Sequence, residues 1–305
     1  MTIQKVLKAA YDQLSEESQS PQLDAELLLA HILKKNRSFL IAQTDKILSQ
    51  KQVQRFRSLV ARRSKGEPIS YLIQKKEFYG LSFYVNSSVL IPRPETEQLV
   101  DLTMDALIKR IEGNKNKRQF KITDIGTGSG NIGITIISQI IHHKLHKRYK
   151  FTLYLTDISG TALAIAKKNC TNLIKNHDNI KIHFVKTDLL KGLNTKFDII
   201  VSNPPYIPQA DIDGLMKDVR DFEPHVALNG GEKGLSIIRK IIGQGVPLLY
   251  REGFILLEIH EQHPLRLRYY LKEAFPKGSI TFHKDVFGEW RFALITHKSK
   301  LFVLS

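Results

Sequence analysis

Apolar residues in the first part of the chain recur at helical spacing. Ile3, Val6, Leu7 and Ala10 form one stripe. After Ser20-Pro21, a helix-start signal, Leu23, Leu27, Leu28, Ala30, Ile32 and Leu33 form a second. A third helix is predicted from Ser49 to Lys65, with Val53, Phe56, Leu59 and Val60 on one face, before Gly66-Glu67-Pro68 interrupts the pattern. Glu77–Val89 (EFYGLSFYVNSSV) is aromatic and β-branched around Gly80, a hairpin pattern. From about residue 93 the periodicity changes. Short apolar runs at Lys121–Ile125, Phe151–Thr156, Ile180–Lys186, Phe197–Ser202 and Gly253–Ile259 are separated mostly by helical segments at Thr96–Ile111, Asn131–Ile141, Thr161–Ile174 and Leu235–Leu249. Strand–helix alternation of this kind predicts an α/β fold with a doubly wound, mainly parallel sheet. The expected organisation is a small helical domain at 1–75, a β-hairpin connection at 76–92 and the α/β domain at 93–305. Ligands of such sheets bind beyond the carboxyl ends of the strands, so residues following each strand carry most weight.

Composition narrows the setting. The 305 residues hold 46 Lys and Arg against 30 Asp and Glu, a formal charge of +16. Such an excess favours an acidic partner through long-range attraction without choosing one. The densest basic runs, Asn114–Lys121 and His142–Lys150, fall in expected connections, where lysine-rich loops are ordinarily just solvated. The single cysteine, Cys170, excludes an internal disulfide and a multi-cysteine metal site. His142, His143 and His146 have no accompanying acid or cysteine to complete a metal site, and none is expected. No run approaches the ~18–20 apolar residues of a membrane span, and the N-terminus has no apolar leader segment. A cytoplasmic protein is expected.

The first strand of the α/β region runs into Asp124-Ile125-Gly126-Thr127-Gly128-Ser129-Gly130. Glycines on alternate positions let the backbone turn tightly and approach a ligand, and the helix that follows offers free N–H groups. This suits a nucleotide-like cofactor, although Gly128–Gly133 also satisfies the dinucleotide pattern G-x-G-x-x-G. Asp157 closes the second strand, where a carboxylate can accept both hydroxyls of a ribose. Nicotinamide and adenosyl cofactors both need that contact. Asp188, after the third strand, is placed to meet an adenine amino group.

After the fourth strand comes Asn203-Pro204-Pro205-Tyr206. A planar –NH2 group has a lone pair delocalised into its π system, so methylating it requires gripping both hydrogens and aiming the nitrogen. The Asn203 side-chain carbonyl and the Pro204 backbone carbonyl can supply two acceptors. Two prolines stiffen the loop, and Tyr206 offers a flat face to a planar substrate.

With DIGTGSG, an acid after the second strand and NPPY after the fourth, the chain resembles class I S-adenosylmethionine-dependent amino-methyltransferases. More specifically, it is similar over nearly its whole length to the bacterial peptide chain release factor glutamine N5-methyltransferases, the PrmC/HemK family. The segments that carry this are SPQLDAELLLAHIL, EPISYLIQKKEFYG, LIPRPETEQLV, DVRDFEPHVAL, GFILLEI and KDVFGEWR. LIPRPETE discriminates best, since the related ribosomal-protein glutamine methyltransferases usually differ after Ile-Pro-Arg.

The resemblance implies a Rossmann-like methyltransferase domain and methylation of the glutamine in the Gly-Gly-Gln motif of class I release factors. It implies S-adenosylmethionine as cofactor and S-adenosylhomocysteine as product, and an N-terminal helical domain that docks the release factor. Gly126, Thr127, Gly128, Ser129, Gly130, Asp157, Asp188, Leu189 and Asn203 would then hold the cofactor. Asn203, Pro204, Pro205 and Tyr206 would grip the glutamine, with Arg93 of the PRPETE segment presented towards the entrance. Many relatives carry an aromatic residue where this chain has Leu189, so adenine packing would be aliphatic.

The rivals are an adenine N6-methyltransferase on DNA or RNA, a nicotinamide oxidoreductase, and a non-catalytic RNA-binding module. NPPY has no role in hydride transfer. The small helical domain is a poor substitute for a DNA target-recognition region, and an adenine would have to be flipped into the pocket. Direct nucleic-acid binding is therefore not expected.

Overall fold

Polar side chains start several helices by accepting the first free backbone N–H groups. Thr2 does so for α1 (Ile3–Leu14) and Asn36 for α3 (Arg37–Ala42), while Ser49 and Gln52 form a reciprocal capping box on α4 (Gln50–Arg63). With α2 (Pro21–Leu33) and α5 (Ile69–Leu72), these helices enclose a core that includes Ile3, Leu14, Leu28, Leu29 and Phe56. Asp24, buried in this unit, accepts from Arg63 Nε at 2.6 Å and from Ser18 Oγ at 2.7 Å. The computed structural model describes residues 1–114 and 116–297 and divides into two units. The first takes in residues 1–75, 85–87 and 215–223. Lys115, inside the basic run Asn114–Lys121, and residues 298–305, at the end of the expected 93–305 domain, lie outside the described residues.

The second unit begins with a short antiparallel hairpin of β1 (Lys76–Phe78) and β2 (Leu81–Phe83). There follow α6 (Glu97–Gly113), β3 (Gln119–Ile125), α7 (Asn131–His142), β4 (Lys150–Asp157), α8 (Gly160–Leu173), β5 (Ile180–Lys186) and β6 (Phe197–Ser202). The short α9 (Lys217–Phe222) belongs to the first unit. The chain continues with α10 (Ser236–Gly245), β7 (Leu249–Glu258), α11 (Pro264–Ala274), β8 (Ser279–Lys284) and β9 (Trp290–Thr296).

These strands form a seven-stranded sheet in the order β5-β4-β3-β6-β7-β9-β8. The five strands from β5 to β7 are parallel, and β9 pairs antiparallel with both β7 and β8. Every residue of β6 is buried, as expected for a central strand covered on both faces. Ile199 and Val201 pack on one side with Leu107 of α6 and Ile136 of α7; Ile200 packs on the other with Ile238 of α10 and Leu267 of α11. At the opposite end of the sheet from the strand termini discussed below, Asp198 accepts from Arg110 Nε at 3.1 Å, from Lys117 Nζ at 2.7 Å and from the Lys121 N–H at 2.9 Å.

The doubly wound, mainly parallel sheet expected from the alternation is present, but three local expectations need correction. The hairpin ends at Phe83; beyond it Tyr84 donates its N–H to Asn169 Oδ1 at 2.8 Å instead of extending the ladder. The helix expected over Leu235–Leu249 stops at Gly245, before Pro247 in a tight 3₁₀ turn. His142 and Lys150, expected in a connection, close α7 and open β4. The pattern also passed over α11, β8 and β9.

Candidate active site

The strand order reverses between β3 and β6: the chain proceeds outward through β4 and β5 on one side and through β7 on the other. This switch point opens a crevice at the carboxyl ends of the strands. Asp124 of β3 lies opposite Val201 of β6, and the Ser202 hydroxyl donates to the Ile125 carbonyl at 2.7 Å. The glycine loop after β3 and the Asn-Pro-Pro-Tyr loop after β6 therefore start side by side.

Within the glycine loop the glycines serve different purposes. Gly126 and Gly128 have φ of 64° and 53°, and a Cβ on either would meet nothing within 4 Å. Their α-carbons face open space, a cradle that side chains would fill. Gly130 has φ 82°, but a Cβ there would come 2.5 Å from Ile134 Cδ1 and 3.2 Å from Ala166 Cβ. It is required by packing between helices.

Three side chains fix the loop. Asp157, at the end of β4, accepts from the Gly128 N–H at 2.9 Å and from the Ser159 N–H at 2.8 Å. Burial raises its carboxyl above the usual range, against these backbone donors. Asp124 is fully buried and accepts through one oxygen from the Thr127 hydroxyl at 2.6 Å and the Gly133 N–H at 3.0 Å. Its other oxygen has no partner, and burial pushes its carboxyl up to about 7. Asn169, buried in α8, donates to the Ser129 carbonyl at 2.8 Å.

One cavity gathers much of what the sequence singled out. Gly126, Thr127, Gly128 and Ser129 border it together with Asp157. Asp188, Leu189, Asn203, Pro205 and Arg93 complete that part of its wall. Leu189 sits at φ 58°, a left-handed conformation unusual for leucine, and its neighbour Leu190 is held by the Gln244 side chain at 2.9 Å. The exposed side chain of Ile158 and that of Ile237 add apolar surface to the wall. Gly130, Pro204 and Tyr206 do not border this cavity.

Tyr206 is partly buried and directs its hydroxyl to Glu258 Oε1 at 3.1 Å. Burial, and then the Glu258 charge, raise that hydroxyl well above the ordinary tyrosine range. The loop carrying Tyr206 is braced from behind by Asn229–Gly231. Gly230 donates to the Ile207 carbonyl at 2.8 Å, and a Cβ on it would come within 2.8 Å of the Pro205 carbonyl oxygen and of Tyr206 Cα.

The sequence reading missed Thr96 and Glu258. Both are almost completely buried, and both meet the Asn-Pro-Pro-Tyr loop. Asn203 Nδ2 donates to Thr96 Oγ1 at 3.1 Å, and the Thr96 hydroxyl donates to Glu258 Oε2 at 2.7 Å. Both residues lie in segments that carried the resemblance, PRPETE and GFILLEI, but side-chain direction cannot be read from a segment match. Asp124 and Asn169 were missed as well; that Asp124 opens the glycine motif was the available signal. Among the described residues no group of three or more His, Cys, Asp or Glu could hold a metal ion, and no helix is long and apolar enough to cross a membrane.

Two family models match the chain: the PrmC N-terminal domain over residues 5–73 and the methyltransferase small domain over residues 96–218. A release factor glutamine methyltransferase of Koribacter versatilis is 36% identical over 262 residues, covering 85% of this chain and 86% of the relative. One from Bacillus cereus is 33% identical over 294 residues, 95% of this chain and 98% of the relative. Among solved structures, the hMettl16 catalytic domain in complex with MAT2A 3′UTR hairpin 6 superposes with a TM-score of 0.50 at 19% identity, over 80% of this chain and 84% of that one, a likeness of fold.

Proposed function

This chain belongs to the release factor glutamine methyltransferase family, and we propose that it methylates the side-chain amide N5 of the glutamine in the Gly-Gly-Gln motif of class I peptide chain release factors. The observation that carries this reading is the meeting of the glycine cradle and Asn203 on one cavity at the sheet's switch point. A cofactor seat and an amide-gripping loop are needed together, and they come from adjacent strands.

We assign S-adenosylmethionine as the cofactor. The residues suit it: backbone N–H groups and open α-carbons in the loop, a carboxylate at the end of β4, and aliphatic walls from Leu189 and Ile158. When bound, it supplies an electrophilic methyl on a cationic sulfur. Asp157 would take the ribose hydroxyls, Asp188 the adenine amino group and Leu189 a face of the ring. Asn203 Oδ1 and the Pro204 carbonyl would accept the two hydrogens of the glutamine amide, with Pro204 and Pro205 limiting movement of the loop. Tyr206, held by Glu258, would shape the substrate side. Arg93 would stand at the entrance, residues 1–75 would form the release-factor-docking domain, and the reaction would take place in the cytoplasm.

No side chain of this loop is suited to act as a general base, a contribution of ~10²–10⁴ in rate where one operates. Holding nucleophile and methyl carbon in line can contribute ~7–11 kcal/mol. Positioning therefore dominates, and the amide proton leaves to water. Incubation with S-adenosylmethionine and a purified class I release factor, followed by peptide mass spectrometry, tests the reading. One added methyl on the Gly-Gly-Gln glutamine is expected, absent with Asn203→Ala. Methylated adenine in DNA or RNA, with none on the release factor, would replace this reading by the nucleic-acid one.

A further inference from the structure

The reach of Thr96 and Glu258 into the Asn-Pro-Pro-Tyr loop follows from the sheet. Ser202 of β6 is paired with Leu257 of β7, so Asn203, just past the end of β6, lies next to Glu258, the last residue of β7, which is itself paired with Phe292 of β9. Thr96 immediately precedes α6, which packs against β6 and β7. The result is a chain of hydrogen bonds joining residues far apart in sequence: Asn203 to Thr96, Thr96 to Glu258, and Tyr206 to the other oxygen of the same carboxylate.

The chain has a direction. Burial raises the Glu258 carboxyl, while the Thr96 and Tyr206 hydrogen bonds and then the Arg291 charge oppose this. The Thr96 hydroxyl donates to its Oε2 and the Tyr206 hydroxyl to its Oε1, and a threonine hydroxyl has one proton to give. That proton goes to Glu258, which leaves the Thr96 oxygen only as an acceptor towards Asn203. The –NH2 end of the Asn203 amide must therefore face Thr96, and the carbonyl end is left for the cavity. Were the direction reversed, the –NH2 end would face the cavity and meet an incoming –NH2 group donor to donor.

We propose that Thr96 and Glu258 are positioning residues that fix the orientation of the Asn203 amide, so that the site presents an acceptor to a substrate –NH2 group, and that Glu258 anchors Tyr206 in the same arrangement. This rests on the proposed amide methylation for its catalytic consequence, but the hydrogen-bond arrangement exists without substrate. Thr96 borders the cavity, but its hydrogen bonds run to Asn203 and Glu258, so both residues are assigned to act through Asn203 and Tyr206.

Thr96→Val keeps the side-chain shape and removes the relay, whereas Thr96→Ser keeps the hydroxyl. Misorienting a gripping group is expected to lower kcat about 100-fold in Thr96→Val. The KM for the release factor and the dissociation constant of S-adenosylmethionine should change less than threefold, because the Thr96 hydroxyl is engaged by Glu258 and Asn203 and valine keeps the surface that Thr96 gives the cavity wall. Thr96→Ser should recover kcat to within about fivefold of the parent. Glu258→Gln cannot accept from both Thr96 and Tyr206, and should also lose kcat with cofactor binding retained.

A readout independent of substrate is the side-chain ¹⁵N–¹H spectrum of Asn203. Its amide protons should exchange slowly in the parent and in Thr96→Ser, and rapidly in Thr96→Val. Equal exchange in parent and Thr96→Val overturns the inference, as does a Thr96→Val enzyme whose kcat stays within threefold of the parent. If the parent protein transfers no methyl to a release factor, the functional reading fails by itself, and the amide spectra still decide the orientation.

Discussion

The backbone N–H of Gly128 lies 2.9 Å from Asp157 Oδ2, which ties the glycine loop after β3 to the end of β4. One carboxylate thus shapes the loop and stands at the wall of the cavity that the loop borders. Its second oxygen is engaged by the Ser159 N–H. Losing Asp157 would therefore take a carboxylate from the cavity wall and release two backbone donors at once.

Asp157→Ala is expected to weaken S-adenosylmethionine binding at least tenfold, which corresponds to about 1.4 kcal/mol. The kcat at saturating cofactor should fall much less. Isothermal titration calorimetry beside steady-state kinetics measures both. Unchanged affinity would remove Asp157 from the cofactor site.

Asp124 couples pH to stability. Burial raises its carboxyl from the ordinary 3.8 to about 7, so between these values the folded protein keeps a proton that the unfolded chain has released. The contribution of this group is therefore favourable at low pH and is lost as pH rises from about 4 to 7. The slope from one such proton approaches about 1.4 kcal/mol per pH unit. Asp124→Asn retains an acceptor for Thr127 and Gly133 but does not titrate. Urea unfolding at several pH values should show a steeper wild-type decline across this window than in the variant, where Asp157 and Glu258, also raised by burial, still titrate. Parallel curves would mean that Asp124 stays ionised throughout.

The glycine loop allows cradle and packing to be separated. Gly130→Ala would drive a Cβ against Ile134 and Ala166. It should destabilise the fold by about 2–4 kcal/mol from overpacking and left-handed strain together. Gly128→Ala meets no protein atom, so only strain of ~1–2 kcal/mol is expected in stability, with a larger relative loss in cofactor binding. Thermal unfolding with and without cofactor distinguishes the two; equal losses in both variants would refute the division.

Arg110 should be among the costliest side chains to truncate. It and Asp198 are both buried, and Arg110→Ala leaves the carboxylate with Lys117 and the Lys121 N–H as its remaining partners. Breaking a buried pair from one side typically costs ~3–5 kcal/mol. Lys117 offsets part of this, so about 3 kcal/mol is expected by urea denaturation. Asp198→Asn in the same chain should recover some of the loss, because no buried charge is then left behind.

Much of this molecule is legible along the chain. Strand–helix alternation specifies the parallel core of the sheet because each central strand must be apolar on both faces and each crossover helix on one. The glycines of the loop, Asp157, Asp188 and Asn203 stand out because their places immediately after strands depend on local order alone. The antiparallel end of the sheet was less visible. β8 is a half-buried edge strand with no continuous apolar run, and β9 follows a turn that reads as a motif.

What the chain could not reveal is which way its side chains point once distant segments meet. Nothing near Asn203 in sequence indicates that Thr96, 107 positions earlier, accepts from its amide, or that Glu258 takes protons from both Thr96 and Tyr206. Nor could it separate Gly128, which faces open space, from Gly130, which faces Ile134. Local sequence determined where loops occur and which functional groups they carry. The direction of each hydrogen bond was decided by sheet register and by burial, since a buried donor or acceptor must find its partner among whatever side chains the tertiary fold brings within reach.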